Sequence, residues 1–525
     1  MHPALSPRSL RAALATWLTV SVLVSTGCSG SSLPADDDAH PGVAPSPRAI
    51  PAPTEPMPSA PDGLGRFYRQ RLTWEPCTGG FVCTTVQVPL DYADPSGDSV
   101  GLAVSRRPAE EPSKRTGALL VNPGGPGVSG VDYAPTAAAQ FRPDVQARYD
   151  IVGFDPRGVA GSEAIDCLSD DQLDAFVASD PTPDDDPAAQ AAIASLTALG
   201  RGCVEGSGRL TGHVSTVEAA RDLDIIRSVL RSPQLHYYGA SYGTLLGATY
   251  ADLFPERVGA MVLDGAIDPT LSVVREAMQQ ARGFQTAADA YLRYCVEQGD
   301  CPLGDSVPAA TRSLTGLLAS IDADPLPGSG GRELTVGHAV LGLWLPLYAP
   351  ELWPTLSQAL SAAIAGDGSA LLRLSDFYTS RGPNGYRDNT MEALYAVNCL
   401  DHPSSRSIAE VRELVPRFEA VSPLFGEGFA WGLLGCGDWP VRAGEPMPTI
   451  HAQGAPPIVV VGTTRDPATP YQGSVALAEQ LRSGVLVTRE GDGHTGFKMG
   501  SECVDDAVNG FFASGAVPRD GLRCS

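Results

Sequence analysis

The sequence lacks the motifs of several large function classes. None of its cysteines forms a C-x-x-C pair and no histidine sits at zinc-ligand spacing, so it predicts no metal site. It has no internal repeat, no heptad array and no cofactor motif, so it predicts no cofactor. Basic residues are few, since 37 Lys and Arg against 60 Asp and Glu give a net charge of −23. This balance argues against nucleic-acid or anionic-lipid partners.

One short motif stands out against these absences. The pentapeptide G-A-S-Y-G (239–243) joins the apolar run 235–238 to a helix-like run at 244–250. A serine hydroxyl becomes a useful nucleophile when a sharp strand-to-helix turn exposes it and a base removes its proton, and G-x-S-x-G is the sequence of that turn. A chance match is the alternative, because the chain has 57 glycines. We predict that Ser241 is the nucleophile.

The base follows by elimination. Partners of a serine on such a turn come later in the chain, first an acid and then a histidine. Of eight histidines, seven lie in the first forty residues, precede Ser241, or precede the last strand that ends in an acid: His2, His40, His213, His236, His338, His402 and His451. The eighth, His494, lies in a glycine-rich loop after the apolar run 484–488. We predict that His494 is the base; a solvated loop histidine is the alternative.

The predicted acid is Asp466. The run P-I-V-V-V (457–461) reads as a buried strand that leads into G-T-T-R-D-P (462–467), so a carboxylate stands at its C-terminal end. Such a carboxylate can accept the Nδ1 proton of His494 and fix the tautomer of its imidazole. Asp492 is the other candidate for the acid. The alternative to a catalytic role for Asp466 is an aspartate that only starts a turn.

A glycine loop completes the predicted machinery. The strand-like run 118–121 leads into N-P-G-G-P-G (122–127), where main-chain N–H groups can approach a reacting carbonyl. We predict an oxyanion hole from the amides of Gly125 and Tyr242. A phosphate-binding loop is the alternative and fits poorly, because no G-K-[ST] follows.

These motifs together resemble a known family. G-G-P-G (124–127), D-P-R-G (155–158) and G-A-S-Y-G (239–243), with Asp466 and His494, are similar to the α/β-hydrolase family of prolyl aminopeptidases and secreted bacterial tripeptidyl aminopeptidases, over about residues 65 to 525. Pro123 stands where prolyl enzymes usually have histidine, which favours the tripeptidyl, lipoprotein-like branch. Ala160 replaces a usual glycine, and Thr469 matches a position near the acid in that branch.

The predicted fold class is α/β, a doubly wound, mostly parallel sheet with an inserted, mainly helical cap. Continuous apolar runs that are typical of buried parallel strands recur at 151–154, 235–238, 260–263, 458–461 and 485–487. These strand-like runs stop recurring between Asp264 and about Pro456, where Ala, Leu and aromatic residues dominate. We therefore expect a core from residues 62–268 and 451–525, with a cap at 269–450.

The first sixty residues are predicted to lie outside this fold. Two arginines precede the apolar stretch 12–24, which is too short to span a bilayer, and S-T-G-C (25–28) follows. This order is typical of a secretory signal over 1–27 with a lipid-modified Cys28, although Ser25 stands where such signals usually have leucine. Residues 28–61 are rich in Pro, Ala, Ser and Asp and predict a tether. We expect an extracytoplasmic protein, secreted or held at the membrane by a lipid anchor alone.

Cysteine usage agrees with export. Removing Cys28 from eleven cysteines leaves ten, an even set that in an oxidising compartment predicts five disulfides. Sequence alone leaves the connectivity open. The resemblance, with the short separations, favours the pairs Cys77–Cys83, Cys167–Cys203, Cys295–Cys301, Cys399–Cys436 and Cys503–Cys524.

Two functions remain open at this point. The first, which the resemblance implies, is a monomeric serine aminopeptidase that releases tripeptides from free N-termini; the second is a carboxylesterase with the same machinery. An aminopeptidase needs a carboxylate to pair with the substrate ammonium, and Glu392 and Asp401, which flank Cys399, are the candidates. A binding lipoprotein on an inactive hydrolase fold is disfavoured, because every catalytic part is present.

Overall fold

A ten-stranded sheet forms the centre of the molecule. The structure is a computed structural model that describes residues 56–403 and 406–525. The predicted fold class is confirmed: the sheet is mostly parallel and carries helices on both faces. Its strands are β1 Glu75–Pro76, β2 Val82–Pro89, β3 Ser99–Arg107, β4 Gly117–Asn122, β5 Tyr149–Phe154, β6 Leu235–Ala240, β7 Val258–Asp264, β8 Ile458–Arg465, β9 Gly484–Asp492 and β10 Leu522–Cys524.

The strand order explains where a site can form. It is β1-β2-β3-β5-β4-β6-β7-β8-β9-β10, with β1, β2 and β3 antiparallel to their neighbours and every pair from β5 to β10 parallel. The chain runs from β4 outward to β5 and then returns to the other side of β4 to form β6. At such a topological switch point the loops after the two strands diverge and leave a crevice at their carboxyl ends. The loops after β4 and β6 are those predicted to hold the oxyanion hole and the nucleophile.

Helices surround the sheet and also form a roof above its carboxyl edge. They are α1 Gly65–Tyr68, α2 Gly130–Gln140, α3 Pro143–Arg148, α4 Asp170–Val177, α5 Asp186–Ser207, α6 Thr216–Val229, α7 Tyr242–Leu253, α8 Val273–Glu297, α9 Val307–Ala323, α10 Val336–Leu347, α11 Trp353–Ile364, α12 Ser369–Tyr378, α13 Thr390–Asp401, α14 Ile408–Val421, α15 Gly426–Trp431, α16 Tyr471–Gln480 and α17 Glu502–Ser514. None of the helices in the described ranges has the length and apolar character of a membrane span.

The two faces of the sheet have separate cores. All six residues of β4 are buried, and they alternate between the faces as a strand requires. Leu120 packs with the cluster that includes α6 and α7, whereas Leu119 and Val121 pack with α2, α3 and α17. Burial on both faces is the physical reason that this strand reads as a continuous apolar run.

The roof is made of two insertions. The expected one lies between β7 and β8 and holds α8 to α15, with its own apolar core. The second, α4 and α5 between β5 and α6, was not expected from the sequence. Ala189 of α5 lies in the same apolar cluster as Ala281 of α8, and the Thr335 hydroxyl donates to the Ala178 carbonyl at 2.8 Å. The domain limits at residues 268 and 450 stay a prediction.

Five disulfides cross-link the described part of the chain. They join Cys77 to Cys83, Cys167 to Cys203, Cys295 to Cys301, Cys399 to Cys436 and Cys503 to Cys524, which is the pairing that the resemblance implies. The signal, Cys28 and most of the predicted tether lie outside the described residues.

Candidate active site

Ser241 stands on a strained turn between β6 and α7. Its φ of 55° and ψ of −126° are unusual for a side-chain-bearing residue, and its N–H donates to the Asp264 carbonyl at 2.9 Å. The flanking glycines are required by close approach. A Cβ on Gly239 would lie 2.4 Å from the Gly243 carbonyl oxygen, and one on Gly243 would lie 2.7 Å from Asn122 Oδ1. The G-x-S-x-G pattern therefore reports a crowded turn.

Asp466 and His494 meet at the carboxyl ends of β8 and β9. The Nδ1 atom of His494 lies 2.8 Å from Oδ1 and 3.0 Å from Oδ2 of Asp466. This carboxylate is 1% exposed and also accepts the N–H groups of Ala468, Thr469 and Thr495 at 2.8–3.0 Å. Because an ionised carboxylate only accepts, Nδ1 must carry the imidazole proton, which leaves Nε2 free to act as a base.

The rival acid is placed elsewhere. Asp492 forms a two-point ion pair with Arg465, with atoms 2.6 and 2.7 Å apart. The histidine also approaches Thr469, whose Oγ1 lies 3.4 Å from Nδ1. The structure thus brings Asp466, and not Asp492, to the predicted base.

The surroundings of His494 make it a stronger base. Burial alone would lower the pKa of its imidazole, but the charge of Asp466 and the hydrogen bond to it, with a contribution from Asp264, raise that pKa above its ordinary value. The side chain is 13% exposed. Above that raised pKa the ring is neutral and can accept a proton.

The glycine loop after β4 lies against the serine turn. A Cβ on Gly124 would lie 2.6 Å from the Ala240 carbonyl oxygen and 2.8 Å from Ser241 Cβ, and its φ of +96° also favours glycine. Gly125 lines the same cavity as Ser241 and Tyr242. Tyr242 is the first residue of α7, so the helix itself does not use its N–H. The Tyr242 N–H thus adjoins Ser241 and Gly125 lines the same cavity, while the oxyanion hole from these two amides stays a prediction.

The D-P-R-G motif supports this loop and does not line the cavity. Asp155 is buried and accepts hydrogen bonds from the Ser129 hydroxyl at 2.6 Å and the Val131 amide at 3.0 Å, where α2 begins. Arg157 is fully buried and makes two 2.7 Å contacts with Asp222 of α6. The motif therefore fixes the end of the glycine loop to the core.

A cavity of about 570 Å³ lies between the serine and the roof. Aromatic side chains form much of its wall, with Trp344 stacked on Phe429 at 5.2 Å between ring centroids. Tyr348 also lines it, and this residue touches the catalytic loop twice. Its ring lies edge-on to that of His494 at 5.1 Å, and its carbonyl accepts the His494 N–H at 2.8 Å.

Two carboxylates interrupt this apolar wall. Glu276, in the first turn of α8, and Asp268, four residues after β7, both line the cavity, as does His402. Asp268 Oδ1 accepts hydrogen bonds from Thr270 and Gln480, whereas no donor of the described residues reaches the Glu276 carboxylate. Burial, opposed by the charge of His402 and reinforced by that of Asp268, raises the pKa of Glu276.

The two acids expected to bind the substrate amine do not line this cavity. Glu392 Oε1 accepts the amides of Cys167 and Leu168 at 2.8 and 2.9 Å, and so attaches α13 to the second insertion. Asp401 accepts the Thr216 amide at 2.9 Å and its hydroxyl at 2.5 Å, and that hydroxyl lies 2.6 Å from the Tyr242 phenol. Both carboxylates already accept hydrogen bonds from the protein, so neither is placed to bind the substrate amine as predicted.

Sequence reasoning missed Glu276 and Asp268, although one signal was present. Both follow β7 closely, at the edge of the sheet that carries Ser241.

No group of three or more His, Cys, Asp or Glu side chains in the described part of the chain could hold a metal ion.

Comparison with known proteins shows the family of this chain. A family model described as TAP-like protein matches residues 422–524. The chain is 38% identical over 478 residues to serine protease Hip1 of Mycobacterium tuberculosis, covering 87% of this chain and 91% of that protein. It is 38% identical to carboxylesterase B of the same species (84% and 86% covered) and 31% identical to a tripeptidyl aminopeptidase of Streptomyces coelicolor (88% and 87% covered). The chain is therefore a serine hydrolase and belongs to the TAP-like, tripeptidyl-aminopeptidase-related family of α/β-hydrolases.

Proposed function

We propose that this serine hydrolase is an aminopeptidase that releases short peptides, tripeptides in the first instance, from free N-termini. In this mechanism Ser241 attacks the scissile carbonyl while Nε2 of His494 takes its proton, and Asp466 stabilises the imidazolium. The amides of Gly125 and Tyr242 stabilise the oxyanion. The imidazolium then protonates the leaving amine, and water hydrolyses the acyl-enzyme by the same steps.

The carboxylate of Glu276 is the observation that carries this proposal. Glu276 is partly buried in the cavity wall and has no donor among the described residues, and a second acid nearby, Asp268, further disfavours its ionised form. A substrate ammonium would supply the missing donor and the missing positive charge at once. An ester substrate with an uncharged acyl chain offers neither, so this pair favours a peptide with a free N-terminus.

The roof over Ser241 supports a short product. The chain on the amino side of the scissile bond must fit between Ser241 and the roof, and the cavity of about 570 Å³ limits its length. The similarity to a tripeptidyl aminopeptidase supports three residues. The apolar wall predicts a preference for apolar side chains in that segment.

A carboxylesterase is the second candidate. The mostly apolar, aromatic cavity wall and the similarity to carboxylesterase B favour it. The triad and oxyanion hole would serve either reaction, so the two candidates differ in whether the substrate amine matters.

The first prediction tests that difference with Glu276→Gln. Loss of a charge-assisted hydrogen bond typically costs about 1.5–3 kcal/mol. We therefore expect kcat/KM for a free tripeptide amide to fall about tenfold to a hundredfold. N-acetylation of the substrate should cost the wild type a similar factor and cost the variant little more. Hydrolysis of a simple aryl ester should change little.

Glu297→Gln is the matched control, because this exposed glutamate ends the same helix. Since the pKa of Glu276 is raised, the wild type should also lose its preference for the free amine as the pH falls through that pKa, a change in KM that aryl-ester hydrolysis should not show. Equal kcat/KM values on free and acetylated peptides, or a strong preference for long acyl esters, would instead favour the esterase.

The location belongs to the same proposal. Five disulfides are consistent with an extracytoplasmic site of action. We propose that the mature protein is a monomer anchored through lipid on Cys28. Acyl chains can hold it at the membrane because each buried CH₂ contributes about 0.8 kcal/mol.

The second prediction is that Cys28→Ser moves the protein from the membrane fraction to the medium or leaves the precursor unprocessed. Mass spectrometry of the mature N-terminus checks it, and a soluble wild type that begins at another residue would refute the anchor.

A further inference from the structure

Asp264, the last residue of β7, contacts both halves of the catalytic machinery. The residue is fully buried, and its backbone carbonyl accepts the Ser241 N–H at 2.9 Å. Its carboxylate accepts the N–H of Gly496 at 2.7 Å and that of Phe497 at 2.8 Å. These two residues lie two and three positions after His494 in its loop. One buried acid therefore joins the serine turn to the histidine loop.

We propose that Asp264 is a positioning residue of this enzyme, which holds the His494 loop against the Ser241 turn and places a second negative charge behind the imidazole. The proposal rests on the catalytic roles proposed above for Ser241 and His494. Asp466 remains the acid that contacts the imidazole. Asp264 acts through the backbone of the loop.

The donors around Asp264 require a carboxylate. Gly496 donates to Oδ1, while Phe497 and the Tyr238 phenol donate to Oδ2, the latter at 3.0 Å. An asparagine can offer only one oxygen, so its NH₂ group would face at least one N–H. The loop would then have to shift, and small displacements of a catalytic group are costly.

The charge of Asp264 also bears on protonation. Burial raises the pKa of this carboxyl to about 6, although its three hydrogen bonds and the charge of His494 oppose the rise. When ionised, Asp264 raises the pKa of His494, together with the larger effect of Asp466. The other titratable or charged groups that face the pair are Tyr133, Tyr238, Tyr348 and Arg489.

Asp264→Asn is the direct test, and the acid limb of its pH profile is the decisive readout. Aryl-ester hydrolysis and the rate of labelling by a fluorophosphonate are measured against pH, because both need the triad but not the amine site. We expect kcat to fall about tenfold to a hundredfold with KM little changed. The acid limb should move to lower pH, since His494 loses a neighbouring negative charge and Asp264 no longer titrates.

Tyr238→Phe gives a smaller shift in the same direction. It removes one donor to the carboxylate and keeps the packing of the ring, so the pKa of Asp264 rises and its negative charge is lost at a higher pH. His494 then keeps less of the stabilising charge, so the acid limb should move down, by less than in Asp264→Asn. Asp150→Asn is the control. Asp150 is also buried, and its carboxylate accepts hydrogen bonds from the Ala109 amide and from Arg115 near the start of β5, at the opposite end of the strands from the site. This substitution should lower the melting temperature and leave the acid limb in place.

Two outcomes would overturn the role of Asp264. One is an acid limb that stays at the wild-type pH in folded Asp264→Asn, whatever its rate. The other is an upward shift of the acid limb in Tyr238→Phe. If Asp264→Asn fails to fold, an unmoved limb in Tyr238→Phe also counts against the role. Failure of the proposed function itself shows separately, as full activity in Ser241→Ala.

Discussion

Ser241→Ala is expected to lose essentially all turnover, with kcat lower by about a millionfold. The members of a triad act as a unit, so removal of the nucleophile leaves only the contribution of the oxyanion hole and substrate binding. Peptide and aryl-ester hydrolysis should fall together, because both pass through the same acyl-enzyme. The structure should be retained, since alanine removes only a hydroxyl from a turn that is fixed by Gly239, Gly243 and the Asp264 carbonyl.

Labelling with a fluorophosphonate provides the second readout. The wild type should carry one label, on Ser241, and the alanine variant none. Ser129→Ala is a suitable control, because this hydroxyl caps α2 and bonds Asp155, so its loss should lower stability and leave a labelled Ser241. A variant at Ser241 that keeps its activity or its label would refute the serine-hydrolase mechanism.

The parts of the fold that could be predicted carry local signals. The parallel strands around β4 are buried on both faces, which forces continuous apolar runs such as 118–121. The turn at Ser241 is too crowded for side chains on its neighbours, which forces glycine at 239 and 243. In both cases a steric requirement leaves few residue types, so the sequence reveals the structure. The predicted fold class and enzyme class are confirmed for this reason.

The amine site could not be located in the same way. Glu392 and Asp401 look no different in sequence from Glu276, since each is an acid in a helical region of the cap. What separates them is a set of long-range contacts: the first two bind the amides of Cys167 and Thr216, more than 180 residues away. The second insertion, α4 and α5, was missed for a related reason. A helix beside a parallel sheet is expected in the core, and only packing shows that these two belong to the roof.

Asp466→Asn is expected to keep the fold and to lower kcat by about ten-thousandfold. Asp466 Oδ1 accepts the amides of Ala468 and Thr469, so the oxygen of an asparagine would stay there, and its NH₂ group would take the position of Oδ2 beside Thr495 and His494. The retained oxygen can still accept the Nδ1 proton, but the variant loses the negative charge that stabilises the imidazolium, and the NH₂ group beside Nδ1 competes for the tautomer in which Nε2 carries the proton and cannot act as a base. Asp492→Asn is the control, because that carboxylate pairs with Arg465 in the same region and should change kcat little. Steady-state kinetics with melting temperatures for both variants measure the effect. Comparable losses in the two, or none in Asp466→Asn, would mean that Asp466 is not the acid of the triad.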